Sequence, residues 1–419
     1  MKRLLLLTII TLTTVKAMPQ DNVVFDNYFE DRTLRLDYVF AGDNRQQHIF
    51  FEQAYSTPRW AGRRSRLAEM PLRGNGQIKV KDPATGQLLY VHTFSTLFQE
   101  WQVTEEATKV QKAFETSYNV PFPKQPVDIT VTLTNFHGQV VGQLTHTITP
   151  TDILIRPIGD NGIPHRYIWT PDSVPDLTRC IDLAIVAEGY TADETDKFYD
   201  DCQRAVDALF AHEPFTTLKN RFNVVAVAPA SLDEGASVPR QHQWSRTPVG
   251  THYDTFYSDR YLMTQDIHRL YDVLSCVPFE HIIVLVNSSI YGGGGIFNQV
   301  LVSTTGHPTF RQVLVHEFGH SYGGLGDEYY YDDAYETSYP ADTEPWEPNL
   351  TTKVDFEHKW ADMLPDPTGR VGLFEGGGYQ SKGVWRPSED CRMKTNEAEH
   401  FCPVCDRAIR RITDFYTSQ

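Results

Sequence analysis

Two periodicities divide the chain. Over residues 25–155 apolar and polar positions alternate: Leu34, Leu36, Tyr38 and Phe40 are interleaved with Arg35 and Asp37, and Ile129, Val131 and Leu133 with Thr130, Thr132 and Thr134. Successive side chains of a strand point to opposite faces, so this pattern predicts strands buried on one face. Asp82-Pro83-Ala84-Thr85-Gly86 and Phe136-His137-Gly138 supply turns between them. An antiparallel β-sandwich is expected over residues 18–157. It holds no cluster of ligands or catalytic side chains, so a structural or binding role is expected of it.

Residues 158–175 are rich in Pro, Gly, Asp and Asn and predict a linker. Beyond it strands alternate with helices. Apolar runs at 181–187, 222–228, 282–286 and 296–304 predict strands, and a helix is expected near 266–274. Thr191 with Glu194 three residues on forms a capping box that opens a helix carrying Phe198, Val206 and Leu209. Residues 176–419 therefore read as an α/β domain, and the whole chain as an α+β multidomain protein.

Composition narrows the partners. A formal charge of −16 over 419 residues disfavours a nucleic-acid backbone. Met1-Lys2-Arg3, the apolar stretch 4–15 and Ala17 form a signal-peptide pattern over residues 1–17. Its apolar run of about a dozen residues falls short of the roughly 20 that span a bilayer. A secreted or periplasmic protein with no membrane anchor after cleavage is expected. All six cysteines follow residue 150, an even number that permits disulfides in an exported chain.

The chemistry concentrates at His316-Glu317-Phe318-Gly319-His320. Thr309 and Gln312 suggest a capping box and Gly323-Gly324 a stop, predicting a helix of about four turns. Histidines at i and i+4 share one helix face and can bind one ion, while Glu317 is positioned to act on a metal-bound water. A hydrolytic zinc site needs a third protein ligand. Gly323, Gly324 and Gly326 let the chain turn back, so that Asp327 or Glu328 supplies it. The apolar flank Val313-Leu314-Val315 and Phe318 argues against an exposed helix face. The run 296–303 could be an edge strand that holds an extended peptide, or an ordinary core strand. Met393, in Cys391-Arg392-Met393-Lys394, could pack beneath the ligands. Cys402-Pro403-Val404-Cys405 lacks a second Cys-x-x-Cys to complete a structural zinc site, so a bridge from Cys391 to Cys402 or Cys405 is the simpler expectation.

These stretches, with 316–329, 187–191, 375–379 and 401–405, resemble the M64 peptidases, called IgA peptidases, over nearly the whole mature chain. The resemblance implies an N-terminal β-domain, a metzincin-like zinc-protease domain and a Met-turn role for Met393. The general metzincin spacing puts the third ligand at Gly326 here, and the acid follows one residue later. Asp327 is preferred over Glu328, which could instead support a ligand histidine. The expected protein is a zinc metalloendopeptidase with one catalytic Zn²⁺ on His316, His320 and Asp327, and Glu317 as general base and acid. Its substrates would be proteins or peptides, such as immunoglobulin A or other host or dietary proteins. The rival readings are an adhesin or glycan-binding protein with a relic protease domain, and a zinc hydrolase of non-peptide amides.

Overall fold

A computed structural model describes residues 23–172, 174, 176–331 and 339–417. The expected signal peptide, residues 1–17, and residues 332–338 lie outside the described residues.

After a helical turn α1 (Phe25–Tyr28), the β-domain comprises β1 (Phe29–Gly42), β2 (Gln47–Thr57), β3 (Gly76–Lys81), β4 (Leu88–Phe94), β5 (Lys112–Pro123), β6 (Val127–Thr134) and β7 (Val140–Ile148). One sheet has the order β5-β1-β2-β8, where β8 is Arg156–Pro157, and the other β4-β3-β6-β7. Leu34, Leu36, Tyr38 and Phe40 of β1 share a core with Ile78, Ile129, Val131 and Leu133 of the facing sheet. Tyr118 of β5 stacks on Phe94 of β4 at 4.1 Å between ring centroids. Short α2 (Leu97–Trp101), capped by the Thr96 hydroxyl, closes one end.

The alternation on β1 also hides a second contact. Arg35 and Asp37, on the polar face, are buried and not solvated. Arg35 pairs with Asp37 at 2.7 Å, reaches Asp272 at 2.6 Å and donates to the His268 carbonyl at 2.9 Å, so that face is the seam with the second half.

The second half is built on a six-stranded sheet in the order β13-β14-β12-β10-β11-β9. These are β9 (His165–Trp169), β10 (Ile181–Glu188), β11 (Phe222–Val227), β12 (His281–Val286), β13 (Gly293–Ile296) and β14 (Val300–Thr304). β10, β11, β12 and β14 run parallel, and both outer strands antiparallel. Buried parallel strands read as continuous apolar runs, as β10 and β12 do. Ala184 and Val186 of β10 face the core shared with the β-domain, while Leu183, Ile185 and Ala187 face helices on the other side. Those helices include α3 (Thr195–Phe210), entered through the Thr191–Glu194 capping box, α4 (Phe215–Leu218), α6 (Phe310–Ser321) and the terminal α7 (Pro403–Thr417). Helix α5 (Ile267–Val273) lies on the β-domain side. A small sheet of β15 (Tyr330–Tyr331), β16 (Phe374–Gly377) and β17 (Tyr379–Arg386) follows, in the order β15-β17-β16.

Two expectations change here. The stretch read as a linker contains β9, which pairs with β11 because its backbone completes the sheet edge. The run 296–303, read as one strand either at an edge or in the core, is divided: β14 is interior, as the core reading has it, and the edge is the glycine run of β13. A Cβ on Gly295 would lie 2.5 Å from the Glu317 carbonyl oxygen of α6 and 3.1 Å from His320 Cβ. Glycine lets β13 approach the helix, at the cost of the apolar pattern that marks a strand. Tyr261 bridges the outer edge of β13 at Gly293.

Candidate metal centre

Helix α6 is about three turns long, not four. It lacks the expected capping box: the Thr309 hydroxyl pairs with His307 Nδ1 at 2.8 Å and makes no cap bond to the helix. Val313, Leu314, Val315 and Phe318 are buried, which fixes the rotation of the helix and leaves His316 and His320 on the half-buried face.

Past α6 the left-handed Gly324 (φ +59°) turns the chain. The Asn349 amide then holds Gly326, accepting from its N–H at 2.8 Å and donating to its carbonyl at 2.9 Å. Asp327 and Glu328 consequently face opposite ways. Asp327 Oδ1 comes within 3.1 Å of His316 Nε2 and 3.2 Å of His320 Nε2, and the two Nε2 atoms are 3.0 Å apart. Glu328 is fully buried on the far side, where it accepts from Asn349 at 2.9 Å and Cys405 Sγ at 3.1 Å.

Hydrogen bonding assigns the lone pairs. His316 Nδ1 meets the Arg392 carbonyl at 2.9 Å and His320 Nδ1 the Leu325 carbonyl at 2.6 Å. Carbonyl oxygens only accept, so both Nδ1 atoms carry hydrogen and the neutral rings turn Nε2 lone pairs toward each other and toward a carboxylate oxygen. Three acceptors within about 3 Å demand a cation at their centre. Tetrahedral zinc with Zn–N and Zn–O bonds near 2.0–2.1 Å sets its ligands about 3.3 Å apart, so the triangle fits that ion and leaves one face open. Without metal, the demand falls on a proton. Burial opposes a charge on His320, but Asp327 overrides it and lifts the imidazole to about 10. Burial likewise pushes the Asp327 carboxyl up, and the two histidines more than reverse this, holding it well below the usual range.

Glu317 stands beside this triangle, next to the β13 backbone at Gly293. Its carboxylate has no hydrogen-bond partner among the described residues. Burial raises its pKa and the nearby histidines pull it back, leaving it above the ordinary carboxylate value. That is the direction a general base working near neutrality needs.

Met393 is fully buried under α6. A Cβ on Gly319 would lie 2.5 Å from its sulfur, so glycine between the histidines is what admits the methionine. The same turn supplies the Arg392 carbonyl to His316, and its Met393 carbonyl accepts from Glu328 N–H at 2.8 Å.

Two groups near the centre lie outside the expected site residues. The Tyr379 hydroxyl donates to Asp327 Oδ2. It follows the Gly376–Gly378 run at a left-handed φ of +67°, which aims the ring at the site; the glycine run was its one signal. Glu100, on α2 of the β-domain, accepts from the Tyr261 hydroxyl within the field of His320, Asp327 and Glu317. Protein around it pushes its carboxyl up to about 7 against the pull of Tyr261, and the residue keeps an opening to solvent. The β-domain thus places a carboxylate near the metal triangle. No signal in the sequence points to Glu100.

All six cysteines are free thiols, and the bridge expected from Cys391 is not formed. Cys391 and Cys405 sulfurs are 3.8 Å apart.

No curated protein matches the chain. The model of the family described as IgA Peptidase M64 matches residues 170–369 and 365–413, and that of the Peptidase M64 N-terminus matches residues 24–145. With the two models covering both halves, the chain belongs to the IgA peptidase M64 family.

Proposed function

We propose that the protein is an exported zinc-dependent endopeptidase of metzincin-like design. The observation that carries this reading is the convergence of His316, His320 and Asp327 on one point, with the unpartnered Glu317 carboxylate beside it. Those three residues would hold the ion. When bound, zinc lowers the pKa of a water toward about 7 and polarises the scissile carbonyl.

The chain's own groups do the rest. Glu317 takes a proton from the attacking water and returns it to the leaving amine, a role that its raised pKa favours. The Arg392 and Leu325 carbonyls fix the ring orientations of the two histidines, and Tyr379 fixes Asp327. Met393 supports the helix from below as a Met-turn residue. The substrate backbone extends along the part of β13 that Tyr261 leaves open. Proteins or peptides are the substrates of a peptidase; the immunoglobulin in the family's label is one candidate among host and dietary proteins. Export rests on the leader at residues 1–17, and no helix among the described residues is long and apolar enough to cross a membrane.

The test is cleavage of a proteome-derived peptide library before and after chelation. Hydrolysis that stops with chelator and returns with zinc supports the proposal. A protein inert toward every peptide while zinc-loaded would overturn it.

A further inference from the structure

Behind the candidate centre lies a second group of metal-ligating side chains that the proposed chemistry does not use. Cys391, Cys402, Cys405 and Glu328 bring their donor atoms within 4.8 Å of one another, and every one of these residues is buried. They come from three parts of the catalytic half: Glu328 from the turn after α6, Cys391 from the methionine turn, and Cys402 and Cys405 from the start of α7.

Backbone N–H groups favour anionic sulfur at Cys391 and Cys402, against the burial that pushes the Cys391 and Cys405 thiols up. Cys402 N–H donates to Cys391 Sγ at 3.2 Å and Cys405 N–H to Cys402 Sγ at 3.5 Å. The backbone of a Cys-x-x-Cys turn at a helix N-terminus is thereby aimed at the sulfurs, where the positive end of the helix also acts. Glu328 Oε1 is occupied by Asn349 and Cys405, but Oε2 is buried with no hydrogen-bond partner. A buried carboxylate oxygen without a partner is costly. Three thiols and a carboxylate packed together satisfy one another poorly, since they offer few donors for many lone pairs.

We propose that Cys391, Cys402, Cys405 and Glu328 bind a second, structural zinc ion, with Glu328 Oε2 as the oxygen ligand. Three thiolates and one carboxylate around a closed tetrahedron match zinc's ligand preferences. With Zn–S bonds near 2.3 Å, two sulfurs on one tetrahedral ion stand about 3.8 Å apart. The Cys391–Cys405 separation is 3.8 Å. The three thiol protons pass to solvent on binding, and the surplus negative charge is met by the α7 N-terminus, the Asn349 amide and Arg386, which acts on Glu328.

The site would have a mechanical consequence. Glu328 adjoins Asp327, and Cys391 adjoins the Arg392 whose carbonyl holds His316. One ion would thus pin the two chain segments that complete the first centre. It would also protect three thiols, two of which an oxidising compartment would otherwise join in a disulfide.

The inference stands apart from the peptidase reading, because its readout is sulfur ligation and not hydrolysis. Full-length protein purified without chelator should carry about two zinc ions per chain, and His316→Ala/His320→Ala about one. Cobalt-substituted wild type should show intense thiolate-to-cobalt charge-transfer absorption, retained in the histidine variant and lost in Cys402→Ser. Alkylation of the denatured protein without reductant, after chelation, should label Cys391, Cys402 and Cys405. Absence of the charge-transfer band in the wild type would overturn the proposal even if a variant fails to fold. A mass spectrum linking Cys391 to Cys402 or Cys405 in protein as purified would overturn it too.

Discussion

Tyr379→Phe separates the support of Asp327, the proposed third ligand, from the ligand itself. The phenol donates to Asp327 Oδ2, while Oδ1 faces the two imidazoles. Asp327 is 7% exposed, so water cannot freely replace the lost donor. A hydrogen bond to a charged acceptor contributes ~1.5–3 kcal/mol, and about 1.4 kcal/mol corresponds to tenfold in a binding constant. Zinc affinity should therefore fall by about 10–100-fold, the range for groups that orient metal ligands. Phenylalanine keeps the ring contacts, which include Tyr329 at 5.3 Å and Tyr331 at 6.4 Å between centroids. The metal-free variant should accordingly melt close to wild type. Competition against a chromophoric chelator gives the Kd. Wild-type affinity in a normally folded variant would refute the claim that Tyr379 holds Asp327 for the metal.

Affinity for zinc should also depend on pH. In the metal-free protein Asp327 lifts His320 to about 10 against the effect of burial, so through the neutral range a proton sits where the metal must bind. Displacing it should tighten zinc binding by about tenfold per unit rise in pH across that range, and a pH-independent Kd would contradict the site. At the seam, Arg35→Ala strips Asp37 of its buried partner and should destabilise the protein by ~3–5 kcal/mol in urea unfolding. A loss under ~1 kcal/mol there would mean that the two halves are not held through Arg35.

Much of the fold was legible because burial imposes period two on the sandwich strands and continuous apolar runs on the parallel ones. Polarity alone misled at Arg35 and Asp37, since a charged residue on a strand marks either solvent or a partner, and the partner Asp272 arrives much later in the chain. The glycines of β13 carry no strand pattern because α6 at Gly293 and Gly295, and Met263 and Tyr261 at Gly294, leave no room for side chains. His316, Glu317 and His320 were legible because one helix sets their spacing. The choice between Asp327 and Glu328 was not, for adjacent residues leave a turn in opposite directions and Asn349 and Tyr379 determine which points where. Glu100 was invisible for the same reason: a contact between domains leaves no local pattern.

The central claim, that metal holding and proton transfer fall to different residues of one helix, is tested most directly by Glu317→Ala, with zinc content and hydrolysis of a denatured protein measured on the same sample. Zinc should match wild type while kcat falls by about 10²–10⁴-fold, the contribution typical of general acid–base catalysis. A variant that keeps its zinc and cleaves at near wild-type rate would contradict the account.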